Sequence, residues 1–139
     1  TTEIYTLSLH DALPILTCPA TILELYVDKY FWEIIEITKP QIQRIVSHRK
    51  QVINYMNNIG LEYLPGTAAW YIFTSIEPSK IESLEFGKKL LYDFNTMIVP
   101  GIGYGKSCDN HIRVCVGTES LERTKQGLDN IKFLINETK

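Results

Sequence analysis

Apolar residues recur along this chain at two spacings, that of an α-helix and that of an extended strand. From Pro19 to about Ile34, Leu23, Tyr26, Val27, Tyr30, Phe31 and Ile34 fall on one broad helical stripe. Thr38 and Gln41 have the spacing of a reciprocal capping box, with Pro40 in the first turn, so a second helix is expected to start there. Ile42, Ile45, Val46, Val52, Ile53, Met56 and Ile59 continue it. Gly60 supplies the stop, because a helix C-terminus often needs a left-handed residue.

Beyond Gly60 the rhythm shortens. Leu61–Leu64 reads as a short strand, Pro65-Gly66 as a turn, and Ala68–Ser75, rich in aromatic and β-favouring residues, as a strand. Ser79 and Glu82 have capping-box spacing ahead of a helix that places Ile81, Leu84, Leu90, Leu91 and Phe94 inward and ends near Asn95. Thr96–Val99 and His111–Val116 read as strands flanking a glycine-rich turn, Pro100–Gly105. Thr118 is expected to cap a final helix with Glu119 and Glu122 at its positive end and Leu121, Leu128, Ile131, Leu134 and Ile135 inward. This order predicts an α+β fold, a small and mainly antiparallel sheet with helices packed on one face.

Composition narrows the classes without choosing a function. At 139 residues the chain fits one domain, and its 45% hydrophobic and 22% charged content is an ordinary globular balance. A net charge of -2 with scattered Lys and Arg offers no surface for nucleic acid. Cys18, Cys108 and Cys115 cannot all pair and form no Cys-x-x-Cys motif, which fits a reduced, cytoplasmic setting. No apolar run is long enough to cross a bilayer. The first residue is not Met and no signal peptide is expected, so the chain reads as a fragment.

Met97–Gly117 carries the most chemistry. Gly101, Gly103 and Gly105 permit close backbone approach, but a strand rather than a helix follows them, so this is no dinucleotide fingerprint. Gly105-Lys106-Ser107 lacks the upstream glycine of a phosphate-binding loop, since Pro100 stands there. In the next strand Ile112, Val114 and Val116 point one way, and His111, Arg113 and Cys115 the other. An arginine in mid-strand needs a protein carboxylate, an anionic ligand or solvent. Its planar fork matches a carboxylate bidentately, which makes a substrate carboxylate a candidate.

The run Pro100-Gly101, Tyr104-Gly105 and Ile112-Arg113-Val114 resembles the C-terminal small domain of class I/II, pyridoxal-phosphate-dependent aminotransferases. Other stretches agree in order: Thr17–Thr21, His48-Arg49, Pro65-Gly66 with Trp70-Tyr71, and the closing helix Glu119–Leu134. Asn110 stands where the family often has glycine, and a glutamine common near Leu25 is missing. The resemblance implies that residues 16–139 are the small domain of an aminotransferase with amino acid and 2-oxo acid as substrates. Arg113 would hold the substrate carboxylate. The cofactor and its lysine would belong to an absent large domain, so this chain supplies no catalytic, cofactor or metal residue, and the parent would be a homodimer. Residues 1–15, above all Leu7–Ile15, resemble translated sequencing-adapter DNA and read as a non-native lead-in, so His10 and Asp11 carry no function.

Other readings are weaker. Cys108, His111 and Cys115 lack a fourth metal ligand, and Cys108 with His111 lacks an orienting group for nucleophilic catalysis. Tyr26, Tyr30, Phe31 and Trp32 fit a core or interface better than a ligand cage. Two alternatives remain open. One is a sibling pyridoxal-phosphate chemistry (a decarboxylase, lyase or acyl-condensing synthase), and the other is a non-enzymatic carboxylate-binding module.

Overall fold

A computed structural model of the chain describes residues 20–67 and 69–139. The lead-in, His10, Asp11, Cys18 and most of Thr17–Thr21 lie outside the described residues. The chain divides into two compact units, Thr1–Pro40 and Gln41–Lys139. The first helix, α1, is Thr21–Ile59.

Within the first unit α1 is interrupted at Tyr30, whose φ of -112° and ψ of 18° are not helical. The capping box expected at Thr38 does not form. Thr38 instead turns its hydroxyl back to the Ile34 carbonyl at 2.8 Å and the Ile35 carbonyl at 3.1 Å, and Pro40 lies inside the helix. A threonine hydroxyl can satisfy itself on the preceding turn as readily as it can cap the next one. Of the predicted stripe, Tyr30 and Ile34 are half-buried, whereas Leu23, Tyr26, Val27 and Phe31 are exposed.

The second unit builds the predicted α+β sandwich. Gly60, at φ 67°, ends α1 as expected. Strand β1 (Tyr71–Ser75), helix α2 (Ser83–Phe94), strand β2 (Val99–Pro100), strand β3 (His111–Cys115) and helix α3 (Leu121–Glu137) follow, with short 3-10 turns at Gly101–Tyr104 and Lys106–Cys108. The sheet order is β1-β3-β2, and both pairings are antiparallel. Leu61–Leu64 contributes a single bridge, Tyr63 to Thr74. The strand expected from residue 68 starts at Tyr71, because Ala69 takes a left-handed φ of 61°.

Burial follows the alternation of β3. Ile112 and Val114 are buried and pair with buried Thr74 and Ile72 of β1, so these four form the inner face of the sheet. Against that face lie Val52 and Met56 of α1, Phe86 and Leu90 of α2, and Leu128, Ile131, Leu134 and Ile135 of α3. The α3 stripe is as predicted apart from Leu121, which is half-buried, and buried Thr124, which was not predicted. In α2 Leu90 is buried as predicted, but the other two leucines are not. Leu84 and Leu91 are exposed, and Ser83 and Phe86 are buried in their stead. Ile42 and Val46 of α1 are likewise exposed.

Two expected caps are replaced. Ser120, not Thr118, caps α3, its hydroxyl accepting from the Arg123 amide. At α2 Ser79 and Glu82 form no box, and Ser79 pairs with the Thr138 hydroxyl. The amide of Ser83 donates instead to the Asp109 carboxylate at 3.0 Å.

Candidate functional site

The outer face of the sheet is where the odd-numbered residues of β3 meet those of β1. In register, Tyr71 stands opposite Cys115, Phe73 opposite Arg113 and Ser75 opposite His111, while Val99 of β2 pairs with Arg113 from the other side. Arg113 therefore sits on the central strand, its backbone held from both edges.

Its side chain is surrounded by rings. The guanidinium carbon lies 4.2 Å from the centroid of Tyr71 and 5.7 Å from that of Tyr104. Phe73 meets Tyr104 edge-on at 5.5 Å and stacks with His111 at 5.4 Å, the planes 11° apart. The His111 ring also pairs through Nδ1 with the Asn110 side-chain oxygen at 2.6 Å.

Among the described residues no carboxylate pairs with Arg113. The ion pairs among the described residues are Lys39–Glu36, Lys88–Glu85 and Arg123–Glu119, all on helices or their ends. Arg113 is only half-buried, so solvent reaches part of it. Its forked in-plane N–H donors stay available to an incoming anion.

The loop carrying Tyr104 is held by a small polar hub. The fully buried Ser83 hydroxyl donates to the Asp109 carboxylate and accepts the Ile102 amide at 3.0 Å. A Cβ at Gly101 would run into the carbonyl oxygens of Cys108 and His111, so the chain needs glycine there to fold the loop under β3. Gly105 takes φ 120°, and Gly103 has open space around it. Asn110 needs no left-handed backbone. Its carbonyl accepts the Ile76 amide, and its side chain donates to Glu77 at 2.7 Å.

The alternation of β3 predicts the outward facing of Arg113 but not the rings beside it. From sequence, Tyr71 and Tyr104 stand out only through the family resemblance, because the pairing register that brings Tyr71 to Arg113 is not written in either strand. His111 joins the aromatic face through Phe73. Cys108 and Cys115 are free, and among the described residues no group of three or more His, Cys, Asp or Glu could hold a metal ion.

Residues 33–131 match the family model for aminotransferase class I and II. The chain belongs to that family. Among curated aminotransferases, it is 27% identical over 128 residues to the aspartate aminotransferase of Pyrococcus abyssi, covering 88% of this chain and 32% of that protein. It is 32% identical over 96 residues to the (5-formylfuran-3-yl)methyl phosphate transaminase of Methanocaldococcus jannaschii, covering 69% of this chain and 25% of the relative. The fold agrees with that of the aromatic aminotransferase of Pyrococcus horikoshii, with a TM-score of 0.60, 24% identity, and 76% of this chain matched to 27% of that one. The chain thus spans about a third of the length of the first aminotransferase it matches.

Proposed function

We propose that residues 16–139 are the C-terminal small domain of a pyridoxal-phosphate-dependent aminotransferase, and that Arg113 receives the α-carboxylate of its amino-acid and 2-oxo acid substrates. The observation that carries this is an arginine on the central strand with two aromatic rings beside it and no carboxylate partner among the described residues. Family membership supplies the reaction class, and the face around Arg113 supplies the ligand chemistry. No helix among the described residues is long and apolar enough to cross a membrane. We read the enzyme as cytoplasmic and the parent as a homodimer.

We read the cofactor and its lysine as belonging to the remainder of the enzyme. A lysine that carries an imine has to be shielded from water. Every described lysine is exposed or half-buried; Lys132 is spent on the Gly60 carbonyl and Lys125 lies over the Tyr55 ring. Pyridoxal phosphate, when bound by the remainder of the enzyme, supplies the electron sink for cleavage at Cα. The contribution of this chain is to bind and orient. Arg113 fixes the carboxylate, and with it the direction of the neighbouring Cα–H bond.

The test is Arg113→Lys and Arg113→Ala in the full-length enzyme. A bidentate charge-assisted contact contributes about 1.5–3 kcal/mol, or roughly ten- to over a hundred-fold in binding. Lysine keeps the charge and loses the fork, so amino-acid kcat/KM should fall substantially, and further for alanine. Amines lacking a carboxylate should be affected least. Near-wild-type values for both variants would overturn the assignment.

Residues 1–15 we read as a lead-in that did not evolve with the domain. Deleting them should leave Tm nearly unchanged; a loss above about 2 kcal/mol would mark a packed element.

A further inference from the structure

We infer that Tyr71 is a positioning residue for Arg113: its ring supports the guanidinium so that the N–H fork stands ready for a carboxylate. The inference rests on the carboxylate reading of Arg113 and adds to it the device that aims the side chain.

The two residues are diagonal neighbours across β1 and β3. Tyr71 pairs with Cys115 and Phe73 with Arg113, two positions along. Diagonal neighbours on one face of a sheet lie within reach of aromatic and long side chains. Here the guanidinium carbon reaches 4.2 Å from the Tyr71 centroid, well inside cation–π range. A guanidinium is weakly hydrated and stacks readily on aromatic faces, whereas its donors lie in its plane. A ring beside the group therefore competes little with a carboxylate for those donors. It also removes some of the torsional freedom that an arginine otherwise loses only on binding.

The ring is itself well anchored. Tyr71 belongs to the β1 ladder, and the carbonyl of its neighbour Trp70 accepts the Val116 amide at 2.9 Å, which ties the start of β1 to the end of β3. Tyr104 is the weaker support. It is farther from the cation, at 5.7 Å, and comes from a loop rather than a strand. A rival account makes the contact ordinary surface packing of a long stem, with no effect on what the fork binds.

These accounts separate by NMR of the 139-residue chain. The Arg113 Nε–H signal, assigned by its disappearance in Arg113→Lys, should be displaced by the ring of Tyr71. Tyr71→Phe should preserve the displacement, and Tyr71→Leu should abolish it. In an acetate titration at constant ionic strength, Tyr71→Leu should weaken the Arg113 response about 2- to 6-fold, the equivalent of a cation–π contact at an exposed site. Tyr71→Phe should stay within about 2-fold, and Tyr104→Leu should fall between them. The amide spectrum of each variant reports whether the fold survives. If Tyr71→Leu fails to fold, Tyr71→Phe and the displaced wild-type signal carry the test, and an undisplaced wild-type signal overturns the proposal. Acetate affinity unchanged in folded Tyr71→Leu also overturns it and leaves the carboxylate clamp standing. No response of Arg113 to acetate in the wild-type chain counts against the clamp itself.

Discussion

Asp109 closes the first turn of a helix that begins 26 residues before it, at Ser83. The carboxylate takes both the amide and the hydroxyl of Ser83, and the same hydroxyl receives the Ile102 amide. One buried oxygen thus joins the N-terminus of α2 to the loop that carries Tyr104. Ser83→Ala leaves the Ile102 amide without this acceptor and should cost about 1–3 kcal/mol in urea unfolding. Asp109→Asn keeps an oxygen acceptor but removes a negative charge from the helix N-terminus, so its cost should be smaller, about 0.3–1 kcal/mol. Equal stability of Ser83→Ala and wild type would remove the hub from the account.

The glycines of the loop should separate cleanly. Gly101→Ala sets a methyl group against two backbone oxygens that cannot move without disturbing the start of β3, and should destabilise the chain by more than about 3 kcal/mol. Gly103→Ala meets open space and should stay within about 0.5 kcal/mol of wild type. Thermal melts of the two variants side by side check this.

Tyr55 and Asp129 supply a dependence on alkaline pH. The phenol donates to the Asp129 carboxylate at 2.7 Å, and this bond, helped by partial burial and the Asp129 charge, raises the Tyr55 pKa above its ordinary value. Because the folded value is the higher one, the contact stabilises the fold below the unfolded tyrosine pKa of about 10 and is lost as pH rises through the folded value. Tyr55→Phe should therefore be less stable than wild type at neutral pH. The gap should close above pH about 10, as read from unfolding midpoints measured across that range.

What could be read from sequence was what repeats locally. The alternation in β3 put Ile112 and Val114 inside and Arg113 outside, because period two has only two phases. Gly60 and Asn95 marked helix ends correctly, since both need a left-handed residue. The caps failed for the opposite reason. The serine, threonine and carboxylate groups near a helix start compete, and at α2 the winner, Asp109, comes from beyond the next strand. Leu84 and Phe86 changed places because only packing against the sheet decides which side of an amphipathic helix faces in. The aromatic surroundings of Arg113 were hidden likewise, since they come from β1 and a loop whose approach depends on register.

That register has an evolutionary consequence. Ile72, Thr74, Ile112 and Val114 hold the domain together, while Tyr71, Phe73, His111 and Arg113 between them face away from that core. Variation at Phe73 or His111 can alter the surroundings of Arg113 with little disturbance of the core. Variation at Ile72, Thr74, Ile112 or Val114 is answered first by folding. The two sets interleave residue by residue along the same strands, so the face that meets a ligand can change while the scaffold stays.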